Sequence, residues 1–168
     1  LEGLQPLDGG VPYFAELWAG RAGTLREVAR QTPGPHFSLD AYPGGVYDPA
    51  ADITLPFVLC GILLRIFTGG LRSLHLGVTC RTWSSLYVCF CGGQRRAHNI
   101  WGSRSSADEC LGNREVAAAL LLCEAILLVG GSITWEHPAR SRVWGLSLIP
   151  TLPLRPPTTA TNRSAAAA

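Results

Sequence analysis

Three times between Tyr13 and Glu136, a short β-prone run gives way to a turn and then to a stretch of helical length or helical pattern. The β-prone runs fall at residues 13–18, 36–40, 74–78 and 132–136. Helices are expected between them. The first begins at Thr24, with Leu25, Val28 and Ala29 on one apolar side, the second covers 56–67, and the third covers 114–129. Strands alternating with helices in this way predict an α/β fold with a mainly parallel sheet. Right-handed crossovers are expected to join the parallel strands.

Punctuation supports these elements. Thr24 and Glu27 have the spacing of a capping box, and Pro33-Gly34-Pro35 stops the helix they open. Thr68-Gly69-Gly70 ends the second helix, Asn113 reads as the N-cap of the third, and Gly130-Gly131 breaks it. At 168 residues the chain suits one domain. It divides into a loose lead-in (1–12), a core domain (13–150) and a Pro/Thr/Ala-rich tail (151–168) expected to be disordered.

A net charge of +2 is too small to argue for nucleic-acid binding by bulk electrostatics. Every basic residue is Arg, and Met is absent, so the chain reads as a fragment or processed piece. No basic stretch followed by an apolar one opens it, which predicts an intracellular protein, cytoplasmic or nuclear. Six cysteines in that setting are expected to be thiols. The apolar runs at 53–64 and 116–131 are interrupted by Arg65 and Glu124, and a span needs about 20 apolar residues. They are expected to be buried helices, and no membrane partner is expected.

The chemistry gathers at predicted strand ends, where open α/β sheets bind their ligands. The small-residue turn 19–23 suits close approach of a ligand to backbone amides, although its spacing alone favours a plain strand–helix connection. Asp40, after the second strand, suits hydrogen bonds to ribose hydroxyls, with a solvated turn acid as the plainer alternative. Cys80 follows the central apolar run and is the candidate nucleophile, whereas Cys60 and Cys123 read as buried hydrophobes. Glu136, two residues before Pro138, is a candidate acid or hydrogen-bond donor, and His137 is a competing base. Cys89-x-Cys91 is too tight for a zinc pair, so no metal is expected. Arg95, Arg96 and Arg104 fall in an irregular region that reads as a solvated loop or a phosphate contact.

Taken in order, these pieces resemble the S-adenosylmethionine-dependent cytosine-C5 methyltransferases, and also methyltransferase-like fragments of mobile-element polyproteins. The segment Glu16-Leu17-Trp18-Ala19-Gly20-Arg21-Ala22-Gly23 is similar to the family's F-x-G-x-G-G opening, with Trp18 for Phe and Ala22 for Gly. Asp40 falls where the family binds ribose, and Asp52 where it contacts adenine. The segment 79–84 is similar to P-C-x-x-F-S with Thr79 for Pro, and 136–138 keeps only the acid of E-N-V.

The resemblance implies a Rossmann-like, three-layer methyltransferase fold, incomplete at its C-terminal side. It implies S-adenosyl-L-methionine as cofactor, held by Glu16, Trp18, Gly20, Gly23, Asp40 and Asp52. Cys80 would add to C6 of a flipped cytosine in DNA or RNA, Glu136 would engage N3, and the methyl would pass to C5. No match to the family's later catalytic Arg, target-recognition region or C-terminal closing segment is present. A non-catalytic remnant or interaction module and a small membrane-associated protein are the alternative functions. Oligomeric state is left open.

Overall fold

The computed structural model describes residues 13–20 and 36–146. Strands β1 (Tyr13–Leu17), β2 (His36–Leu39), β3 (Leu71–Leu76) and β4 (Ser132–Trp135) form one sheet in the order β2-β1-β3-β4, and every pairing is parallel. The protein is therefore α/β. The helices are α1 (Pro56–Phe67), the short α2 (Ser85–Phe90) and α3 (Ala107–Leu128). The helix expected after Thr24, the lead-in and the tail lie outside the described residues.

Register divides the sheet into two unlike faces. Aligned residues of parallel strands project to the same side. Phe37, Ala15, Leu74 and Ile133 therefore form one apolar row, and Leu39, Leu17, Leu76 and Trp135 the next. Against these rows pack α1, through Val58, Ile62 and Ile66, and α3, through Val116, Ala119, Cys123 and Ile126. The two helices also touch each other, so both cover the same face. The opposite face carries the polar row Ser38–Glu16–His75–Thr134. Purely parallel sheets ordinarily read as apolar on both sides. Here Glu16 is nonetheless buried, and His75 Nδ1 lies 2.8 Å from Thr134 Oγ1.

Several expectations shift. The central strand lies at Leu71–Leu76 rather than 74–78: its register with β1 runs from Leu71 to Leu76, and Gly77 and Val78 lie beyond it. Helix α3 begins seven residues before its expected start. Its N-cap is Ser106, whose hydroxyl accepts from the Glu109 amide, and not Asn113. Gly130 closes it with φ +73, and the Gly131 amide donates to the Ile126 carbonyl at 2.8 Å. Helix α1 is buried on one side only. It leaves Phe57, Leu64, Phe67 and Cys60 exposed, so Cys60 is no core residue. The stretch Pro49–Phe67 is long and apolar enough, by length and composition, to cross a bilayer. Cys123 is buried as expected, and burial pushes its thiol up to about 12.

The largest departure is Arg95, which is fully buried rather than solvated. Its guanidinium lies 3.6 Å from the centre of the Trp83 ring. Nε donates to the Thr82 carbonyl, Nη1 to the Ile100 carbonyl and to Asn113 Oδ1, and Nη2 to Thr82 Oγ1 and to the Glu109 carbonyl. Buried Glu109 accepts from the Gln94 and Ser103 amides at 2.7 and 2.6 Å. Burial lowers the Arg95 pKa to about 10, and the Glu109 charge opposes that shift, so the guanidinium stays protonated at neutral pH. The pair ties the irregular segment 91–106 to α3.

Arg95→Ala is expected to lower unfolding stability by about 3 kcal/mol, since it leaves Glu109 and several carbonyls without their cation. Arg95→Lys should recover only part of this, because an ammonium cannot reproduce the fork. Urea unfolding of the three chains measures it, and a loss below about 0.5 kcal/mol for Arg95→Ala, the range of ordinary surface substitutions, counts against this role.

Candidate functional site

Strand order fixes where a cleft opens. The chain leaves β1 for β2 on one side and returns to β3 on the other, so the connections diverge at the carboxyl ends of β1 and β3. A cleft of about 320 Å³ lies there, lined by residues that follow β1, β2 and β3 and by the first turns of α3. Gly77 makes this junction possible. A Cβ on it would sit 2.9 Å from the Trp18 carbonyl oxygen, and its amide donates to the Leu17 carbonyl. Trp18 has φ +58, a left-handed conformation rarely adopted by a bulky residue.

Asp40 holds one wall. One carboxylate oxygen accepts from the Gly20 amide at 2.6 Å, and the other accepts from the Tyr42 amide at 2.7 Å. The acid after β2 thus fastens the turn after β1, twenty residues earlier. Each oxygen keeps a second lone pair for a ligand. Asp52 stands on a neighbouring wall. Burial acts to raise its pKa, but hydrogen bonds from Thr54 and from the Tyr47 hydroxyl outweigh this and lower it.

Across the cleft, Asp108 pairs with Arg81 at 2.9 Å and accepts from the Tyr87 hydroxyl at 3.2 Å. Glu115, further along α3, accepts from Thr79 Oγ1 at 3.2 Å. Burial raises its pKa to about 7, the Thr79 hydrogen bond opposes this, and the charges of Asp52 and Asp40 add to it. The cleft is therefore lined by four carboxylates and one guanidinium.

Of the residues expected from sequence, Trp18, Gly20, Asp40 and Asp52 all line this cleft. Gly23 lies outside the described residues. Glu16 belongs to the opposite polar face of the sheet and does not line the cleft. Cys80 and Glu136 follow β3 and β4 as expected, but neither lines the cleft. Cys80 is half-buried at the start of a 3-10 turn over Arg81–Trp83. Glu136 is exposed, its amide donating to the Leu76 carbonyl and its carboxylate 3.7 Å from His75 Nε2. His137 packs edge-on to Trp144, and burial lowers its pKa to about 4, so the imidazole is neutral at neutral pH.

Sequence reading missed Thr79, Arg81, Asp108 and Glu115 as cleft residues. Ser106-Ala107-Asp108-Glu109 has capping-box spacing and was the available signal, since moving the start of α3 back to Ser106 brings Asp108 and Glu115 to the sheet's carboxyl edge. Among the described residues, no cluster of His, Cys, Asp and Glu is placed to hold a metal ion.

Glu115 and His137 give opposite pH slopes. Folded Glu115 keeps its proton to about pH 7 where the ordinary carboxyl loses it at 4.5, so its contribution to stability falls as pH rises across that window. Folded His137 stays neutral to about 4 where the ordinary imidazole protonates at 6.5, so its contribution falls as pH drops across that window. Glu115→Gln is expected to leave a chain that loses stability on acidification from 6.5, and His137→Gln one that loses stability towards neutrality. Urea midpoints against pH measure both slopes, and variants that track the wild-type profile contradict these assignments.

No protein family, curated protein or solved structure matches this chain at a significant level, so the fold and the cleft carry the functional argument by themselves.

Proposed function

We propose that the chain is a Rossmann-like, S-adenosylmethionine-binding domain of the cytosine-C5 methyltransferase type, acting on nucleic acid where it is active. The observation that carries this reading is the Asp40 carboxylate. It bridges the turn after β1 and the loop after β2 at the mouth of a cleft at the sheet's switch point. That is where a doubly wound sheet offers an acid to ribose hydroxyls.

The remaining lining suits the same ligand. A volume of about 320 Å³ falls at the lower end of the range for small-molecule sites. Trp18 and Tyr42 offer aromatic surface for an adenine ring, and Asp52 retains acceptor capacity for its exocyclic amine. When bound, the cofactor supplies an electrophilic methyl group. This chain's own residues hold it, orient it and surround its cationic end with carboxylates.

Cys80 and Glu136 carry the proposed chemistry on the base. A thiolate at Cys80 would add to C6 of an extruded cytosine, opening the C5=C6 double bond while Glu136 engages N3. C5 would then take the methyl, and loss of its proton to solvent would expel the thiolate and restore the double bond. Extruding the base demands contacts that keep it out of the stack.

A second reading, a cofactor-binding remnant without catalysis, is favoured by one specific observation: neither Cys80 nor Glu136 lines the cleft. Cys80→Ser separates the two, since it abolishes methyl transfer to DNA or RNA in an enzyme and changes no activity in a remnant.

Calorimetric titration with S-adenosylmethionine tests the cofactor site. Wild type is expected to bind, and Asp40→Ala to bind about ten- to a hundredfold more weakly, the worth of hydrogen bonds to a charged acceptor. Thermal unfolding of both chains checks that the variant is folded. A folded wild type that binds no S-adenosylmethionine rejects the proposal.

A further inference from the structure

We propose that Glu115 is the specificity-determining residue of the cleft: its carboxylate balances the sulfonium charge of a bound cofactor, and entry of that cation releases a proton from it. This inference rests on the reading of the cleft as an S-adenosylmethionine site and extends it to discrimination between the charged cofactor and its neutral demethylated product.

The geometry singles out Glu115 among the four acids. Asp40 is held by two backbone amides, Asp52 by Thr54 and the Tyr47 hydroxyl, and Asp108 by Arg81 and the Tyr87 hydroxyl. Each of those three carboxylates already meets at least two donors. Glu115 receives a single 3.2 Å hydrogen bond, from the neutral Thr79 hydroxyl, among the described residues. It therefore holds the least satisfied carboxylate on the cleft wall.

The groups that act on Glu115 come from every side of the cleft. Asp40, from the end of β2, and Asp52, from the loop before α1, repel its negative form. Arg114, its neighbour on α3, favours that form, and Thr79, after β3, donates to it. Arg81 is engaged with Asp108 and leaves the far wall without a spare cation there. Burial is the largest influence and, with the Asp52 and Asp40 charges, raises the Glu115 pKa to about 7.

A cation inside this wall reverses the balance. It offsets the repulsion from Asp40 and Asp52 and favours ionised Glu115. Binding of a positive ligand is thus linked to loss of one proton, and affinity for it falls when the proton is hard to remove. S-adenosylhomocysteine, whose sulfur is neutral, leaves Glu115 protonated. Methyl transfer converts the first ligand into the second, so Glu115 would take up a proton from solvent as product forms.

The test is calorimetric titration of the full chain with S-adenosylmethionine and with S-adenosylhomocysteine at pH ~6 and ~8, for wild type and Glu115→Gln. The α-amino group common to both ligands titrates in this range, so the ratio of the two affinities is the readout. In wild type, preference for the sulfonium ligand is expected to fall about tenfold from pH ~8 to ~6, with a proton released at pH ~6 to buffers of differing ionisation enthalpy. In Glu115→Gln the ratio should be independent of pH. Both ligands binding with an unchanging ratio in wild type overturns the role of Glu115 and leaves the cofactor site standing. A ratio that still shifts in Glu115→Gln also overturns it. Binding of neither ligand to a folded chain rejects the cofactor reading together with the inference.

Discussion

A buried guanidinium organises the part of this protein that has no regular structure. Between α2 and α3 the chain runs through residues 91–106 without a helix or a named strand, yet it is anchored at its centre by Arg95. A charge taken out of water is costly unless its hydrogen bonds are supplied. Here carbonyls from Thr82, Ile100 and Glu109, with two side-chain oxygens, supply them, and Trp83 closes one face. Glu109 balances the charge while gathering two amides of the same segment. Arg95 thereby joins the turn after β3, which carries Arg81, to the start of α3, which carries Asp108. The cleft wall depends on this arrangement.

The sheet's carboxyl edge depends on a second constraint, close approach of backbones. Gly77 lets the exit of β3 pass against Trp18 with no side chain between them, and Asp40 then ties down the turn beside it. The cleft lies where the connections after β1 and β3 diverge, and three different devices fix its walls: a missing Cβ, a bridging carboxylate, and an ion pair between Arg81 and Asp108.

Much of this was legible in the residues. Strand–helix alternation leads to a parallel sheet, and Pro56 with Thr68 and Gly69 bound α1 where the structure has it. Asp40 stands out as an acid just after a β-prone run, Asp52 comes only from the resemblance, and both line the cleft. The missed features have physical reasons. Asn113 has the chemistry of an N-cap, but its side chain serves Arg95 and the Trp101 carbonyl inside a helix already under way. Arg95 sits in a Gly-rich, polar stretch, so local composition points to solvent, and only tertiary contacts reveal its burial. Glu115 is one polar residue in a helical pattern, and its environment comes from Asp40, Asp52 and Thr79, distant in sequence.

The contrast between the two faces of the sheet bears on how the strands find their partners. Because side chains alternate with period two, sliding one strand past its neighbour by one residue exchanges its faces. In β1 such a slip would drive Glu16 under α1 and α3 and turn Ala15 and Leu17 away from them; in β3 it would do the same with His75. A sheet greasy on both sides would tolerate that error at little cost. This one penalises it, so its polar row, buried Glu16 included, acts as a check on strand alignment during folding.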